Sequence, residues 1–241
     1  MSEDDTHLDP SVLGTKAHWD DLYALELTNH AANPSDIGTV WFSDADCETR
    51  IYRYLTDELE LPSSATFLDV GTGNGHLLFS LLEDGDFVGE GMVGVDYSER
   101  SVELAKNIAS QTPGAEDVRF LQLDIIKETP ELEFFGAQVA NEGGFDVVLD
   151  KGTFDAISLS DERLEDGRRV YEIYPEKVAK WVKPQDGVLL ITSCNWTEEE
   201  LVRKVTAGGG LEASGRVRYP EFTFGGKKGS AVCTVAFKRT R

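Results

Sequence analysis

The chain has 241 residues, 40% hydrophobic and 28% charged, with 44 acidic against 23 basic side chains and a formal charge of −21. That length suits one well-cored domain, and no apolar stretch approaches the roughly 20 residues of a membrane span. So much negative charge argues against nucleic acid or an anionic lipid surface as partner, and its field would speed encounter with a basic protein.

The first residues, Met1-Ser2-Glu3-Asp4-Asp5, are acidic and lack the basic and apolar regions of a secretory signal, so a cytoplasmic location is expected; a monomer is expected separately. Residues 1–13 carry no apolar period and read as a disordered acidic leader, with a single domain over 14–241. Trp19, Leu22, Tyr23 and Leu27 follow helical spacing, as do Cys47, Ile51, Tyr54, Leu55 and Leu59, so residues 14–62 read as N-terminal helices and lid. Between them Val40-Trp41-Phe42 places two large rings on a connection, either as lid or as core.

From residue 63 the pattern changes. Short apolar runs at Phe67-Leu68, 92–95, 118–121, 147–149 and 188–191 alternate with helical stripes at Leu77, Leu78, Leu81, Leu82 and at Val102, Ala105, Ile108, Ala109. This alternation predicts a parallel sheet covered on both faces, a Rossmann-like three-layer αβα fold over 63–241. Ser98 is a candidate N-cap, and Thr197 with Glu200 forms a capping box that opens a further helix, stopped by Gly208-Gly209-Gly210. Residues 216–224 and 230–238 alternate like strands around the Gly225-Gly226-Lys227-Lys228-Gly229 hairpin signal. Cys47, Cys194 and Cys233 form no CxxC pair, which reads as reduced thiols with no disulfide and no metal site.

Each of the first four runs ends in an aspartate, Asp69, Asp96, Asp124 and Asp150, at intervals of 27, 28 and 26 residues. One such residue is a good strand exit or helix cap; four in register place carboxylates along one sheet edge, where open α/β sheets bind ligands. Asp69 leads into Val70-Gly71-Thr72-Gly73-Asn74-Gly75-His76. A dinucleotide fingerprint needs its third glycine where His76 stands, leaving NAD as the lesser alternative. GxGxG after an acid instead resembles motif I of the seven-strand S-adenosylmethionine-dependent methyltransferases. The resemblance implies a seven-strand, mostly parallel sheet with an antiparallel C-terminal strand, and S-adenosylmethionine as cofactor. It implies that Asp69, Gly71, Thr72, Gly73 and Gly75 serve the methionyl part and ribose, Asp96 the ribose hydroxyls with Tyr97 beside the ring, and Asp124 with Ile125 the adenine.

Asp150-Lys151-Gly152-Thr153 resembles the DKGT signature of a group of eukaryotic protein lysine methyltransferases. Together with Lys16-Ala17-His18-Trp19, Val40-Trp41-Phe42 and Ser193-Cys194-Asn195-Trp196-Thr197 it is similar to the fungal-type translation elongation factor 1-alpha lysine methyltransferase family. This resemblance implies a lysine acceptor on elongation factor 1-alpha. Asp150 would then orient the amine, Trp41, Phe42 and Trp196 would wall its channel, and Asn195 would bond the substrate or its loop. For the aromatics, core packing is the competing reading. His18 and His76 read as structural. A small-molecule methyltransferase and a non-catalytic S-adenosylmethionine-binding protein are the alternatives.

Overall fold

The computed structural model describes residues 7–220, 222–224 and 227–240. The five apolar runs form strands β1 (Phe67–Val70), β2 (Met92–Asp96), β3 (Arg119–Gln122), β4 (Val147–Lys151) and β5 (Val188–Ser193). They are followed by β6 (Leu211–Val217), β7 (Phe222–Phe224), β8 (Lys227–Gly229) and β9 (Cys233–Arg239). The main sheet has the order β3-β2-β1-β4-β5-β9-β6, with β1 to β5 parallel and β9 inserted antiparallel between β5 and β6. This is the seven-strand, mostly parallel arrangement that the sequence predicts.

Alternate residues of each central strand feed the two faces, as the pleat requires. Phe67, Met92, Phe120, Val147 and Leu190 join one core. They pack under α1 (Lys16–Ala32), α2 (Cys47–Arg53), α3 (His76–Leu82) and α4 (Glu99–Ala109). Leu68, Val93, Val148, Leu189 and Ile191 join the other. That second core lies under α5 (Ala137–Glu142), α6 (Thr153–Ser158), α7 (Tyr174–Val178) and α8 (Glu198–Thr206). Burial on both faces explains why the runs read as continuous apolar segments rather than alternating ones. Among the described residues no helix is long and apolar enough to cross a membrane.

Caps and ends carry most of the differences in detail. The Thr197–Glu200 capping box forms in both directions, whereas Ser98 occupies the N-cap of α4 without a side-chain bond. The second helical stripe is α2 continued by a π-helical turn at Tyr54–Glu58. The leader is corrected over residues 7–13. The His7 ring bonds the Tyr171 hydroxyl (2.8 Å), Ser11 N donates to Leu159 O (3.1 Å), and Val12–Gly14 forms a 3-10 turn. Sequence periodicity misses this because the partners lie about 150 residues away. Residues 1–6, the rest of the expected leader, lie outside the described residues. At the C-terminal end the strand expected over 216–224 is two elements. β6 belongs to the main sheet, and β7 pairs with β8 in a separate ribbon; Gly225 and Gly226 of the expected hairpin signal lie outside the described residues.

Candidate active site

The strand order reverses between β1 and β4, and a cleft opens there at the carboxyl ends of the strands, as this architecture favours. Register decides which of the four aspartates reach it. Val70 is level with Val95 and with Asp150, so Asp69 lies one residue deeper and Asp96 one residue farther out. Asp124 follows Gln122, the residue paired with Asp96, by two positions. At about 3.3 Å per residue these are different depths. Asp96 and Asp124 line the cleft; Asp69 and Asp150 are buried behind it, with 2% and 1% exposure.

The glycine loop passes between two neighbours. Gly71, Gly73 and Gly75 have φ of +69°, +58° and +81°, values that glycine alone adopts readily. A Cβ on Gly71 would stand 2.0 Å from Thr153 Oγ1, and one on Gly73 2.7 Å from the Tyr23 hydroxyl. Beneath the loop, Thr72 donates to Asp69 (2.7 Å). Asp96 Oδ2 accepts from Gly73 N (3.1 Å) and Oδ1 from Ser98 N (2.9 Å), so it fixes the loop and still has lone pairs free.

This end of the cleft is lined by Gly71, Asp96, Tyr97, Asp124 and Ile125, with Leu123 and Ile126 adding apolar surface. The donor set fits S-adenosylmethionine: a buried carboxylate for a pair of hydroxyls, apolar side chains for a flat ring, and an acid at its edge for an amino group. Asp124 itself accepts from Ile126 N and Lys127 N (3.2 Å each) and pairs with Lys127 Nζ (2.9 Å). Of the residues expected to hold the cofactor, Asp69, Thr72, Gly73 and Gly75 shape the loop rather than line the cleft.

At the other end stand Trp41, Phe42, Lys151, Asp155, Cys194 and Asn195. Trp41 is 38% exposed and meets Trp19 edge-on (centroids 5.7 Å). Two expectations for this end are corrected. Asp150 does not face the cleft, because its carboxylate is occupied by Thr153 N (2.8 Å), Phe154 N (3.0 Å) and the Tyr174 hydroxyl (2.5 Å), which together set the start of α6. Trp196 does not line the cleft but is a core residue, 5% exposed, against Tyr171 with its indole N–H on Ser158 Oγ (3.3 Å).

The acid at this end is Asp155, in the first turn of α6, which accepts from Ser193 Oγ (2.5 Å) and Cys194 N (2.8 Å). Burial pushes its pKa up. Sequence reasoning missed it, although it lies in the same stretch as Asp150, five residues on. Trp19, Lys151 and Thr153 also line the cleft without having been predicted to.

Burial raises the pKa of Asp69 from 3.8 to about 6 and that of Asp150 from 3.8 to about 7. The folded state therefore holds protons that the unfolded chain releases. Stability from these groups is complete below about pH 4 and is lost as pH rises through about 6 and then 7. The cofactor-free protein is expected to melt at a higher temperature at about pH 5.5 than at about pH 8, as read by calorimetry. A midpoint that rises over this range would show that both carboxylates ionise without cost.

A family model described as a methyltransferase domain matches residues 61–219. The chain is 44% identical to Protein-lysine N-methyltransferase EFM4 of Saccharomyces cerevisiae, over 95% of this chain and 96% of that protein. It is 34% identical to EEF1A lysine methyltransferase 2 of Homo sapiens, over 95% and 88%. Among solved structures it is similar in fold to magnesium protoporphyrin IX methyltransferase (ChlM) of Synechocystis PCC 6803 with bound SAM. That match has a TM-score of 0.54 at 15% identity and covers 90% of this chain and 97% of that one.

Proposed function

The chain belongs to the family of protein-lysine N-methyltransferases that includes EFM4 and EEF1A lysine methyltransferase 2, and we propose that its protein substrate is translation elongation factor 1-alpha. It is an S-adenosylmethionine-dependent enzyme. The observation that carries the reading of the site is the continuity of one cleft from Asp96 at the β2 end to Asp155 and Asn195 beside β4 and β5.

Bound S-adenosylmethionine supplies a methyl group on a sulfonium. Asp96 and Asp124 with Ile125 would hold its ribose and adenine, Tyr97 would flank the ring, and Gly71 lets the loop pass close against Thr153 at the cleft edge. The acceptor lysine enters between Trp41 and Phe42 on one side and Asn195 on the other, and Asp155 takes the orienting role that sequence reasoning gave to Asp150. Placing an amine in line with its reaction partner is most of the catalytic task. At pH 7 an unperturbed lysine loses its proton at a cost of about 4.6 kcal/mol. The aromatic wall removes water and lowers that cost, while an ionised Asp155 favours the ammonium. Asp155 is therefore cast as a binder of the arriving side chain, with ring desolvation favouring its neutral form.

The test is incubation with radiolabelled S-adenosylmethionine and a lysate lacking this enzyme, followed by mass spectrometry of labelled bands. One band of the size of elongation factor 1-alpha, methylated on lysine, is the expected outcome. No labelled protein, with cofactor binding intact, would overturn the substrate assignment.

A further inference from the structure

Residues 37–42 form neither helix nor strand, and at their end Trp41 and Phe42 line the cleft, yet they are tied down along their length. Asn74 of the glycine loop donates through Nδ2 to Ile37 O (2.8 Å) and Thr39 O (3.3 Å). Glu26, buried on α1, accepts from Thr39 N (2.8 Å). Gly38 has φ +79° and presses on that carboxylate so closely that a Cβ would fall 2.4 Å from Glu26 Oε2. At the far end Lys151, the last residue of β4, donates through Nζ to Trp41 O (3.1 Å).

Lys151 is itself held. Its ammonium is 3.4 Å from Glu48 Oε1, and Glu48 Oε2 lies 2.6 Å from His76 Nδ1. The side chains of Lys151 and Glu48 are only 12% and 11% exposed. Burial raises the Glu48 pKa, but the His76 hydrogen bond and the Lys151 charge outweigh it and leave the carboxyl below its usual range. A largely buried ion pair is a weak source of net stability, because desolvation offsets most of the attraction. Its more specific consequence is geometric. The Lys151 hydrogen bond goes to the carbonyl of the strap, and its ammonium lies 6.0 Å from the Phe42 ring centre.

We propose that Lys151 is a positioning residue for the methyl acceptor: through the Trp41 carbonyl it fixes the Trp41–Phe42 wall of the cleft that Asp155 also lines, and Glu48 with His76 fixes Lys151. Asn74 ties the same strap to the cofactor loop, so the wall is set by the two elements that flank the reaction. This rests on the reading of the cleft as a site for a protein lysine. It assigns a role to the second residue of the DKGT stretch, which holds neither cofactor nor acceptor in that reading.

The test uses Lys151→Met and Lys151→Arg in the full chain. In hydrogen exchange of the cofactor-free protein, Lys151→Met should raise exchange in residues 37–42 and leave β1 to β5 unchanged. In kinetics, KM for the protein substrate should rise about tenfold while kcat and S-adenosylmethionine affinity stay within about threefold, the pattern of a lost binding contribution. Lys151→Arg, which keeps a charged donor, should restore most of the loss. Unchanged strap exchange and unchanged KM in Lys151→Met would overturn the proposal. So would faster exchange throughout the sheet with cofactor affinity lost in parallel, which marks a structural role alone. Failure of the unaltered protein to methylate the elongation factor would sink the substrate reading instead, and strap exchange, measured without substrate, still decides whether Lys151 fixes the strap.

Discussion

Asp96→Asn is expected to weaken S-adenosylmethionine binding by at least about 100-fold, the equivalent of about 3 kcal/mol. A carboxylate that accepts from both hydroxyls of a ribose makes two charge-assisted hydrogen bonds, each worth about 1.5–3 kcal/mol. An amide oxygen can accept from one hydroxyl and presents N–H to the other. The same change should spare or raise the stability of the cofactor-free protein. Burial pushes the Asp96 pKa up against backbone bonds from Ser98 and Gly73 that pull it down. The folded state thus favours the protonated acid, and stability from this group falls as pH climbs above the usual carboxylate range. Asparagine is neutral and has no such dependence. Isothermal calorimetry reads the affinity, and the cofactor-induced rise in melting temperature, which follows ligand concentration over Kd, should nearly vanish in the variant. Unchanged affinity would place the ribose elsewhere.

The sheet was legible because its strands are buried on both faces, and the spacing of Asp69, Asp96, Asp124 and Asp150 put them at one edge. Spacing carries no register. One residue of offset between neighbouring strands moves a side chain by about 3.3 Å along the sheet, enough to leave Asp150 level with Val70 and behind the cleft while Asp96 lines it. The motif around Asp150 also hid its own second acid. Sequence reasoning weighted the strand-end residue, but that carboxylate is used by Thr153, Phe154 and Tyr174, and Tyr174 lies in a helix with no sequence link to the motif. Asp155 falls in the first turn of α6 and points to the cleft. Trp196 failed as a wall for a related reason: being aromatic and next to Asn195 does not distinguish core from cleft. Its partner Ser158 is 38 residues away.

Asp155→Asn is expected to lower kcat/KM for the protein substrate by about 100-fold or more, within the range of losing a charge-assisted contact to a bound ammonium. S-adenosylmethionine affinity should be unchanged, because Asp155 lies at the opposite end of the cleft from Asp96 and Asp124. Two variants separate recognition from folding. Ser193→Ala removes the hydroxyl that donates to Asp155 Oδ1 but leaves the carboxylate, so it should retain much more activity than Asp155→Asn. Asp150→Asn alters the buried acid behind the cleft and should change melting temperature more than kcat/KM. The pH profile adds a sign. Lysine must be neutral to accept a methyl group, so kcat/KM rises with pH in both the unaltered protein and the variant. Burial raises the Asp155 pKa, so its protonation adds a second, steeper loss on the acid side, present in the unaltered protein and missing from Asp155→Asn. If the two profiles run parallel and Asp155→Asn turns over at the normal rate, the acid serves only to hold Ser193 and Cys194, and the arriving amine is oriented by the aromatic wall alone.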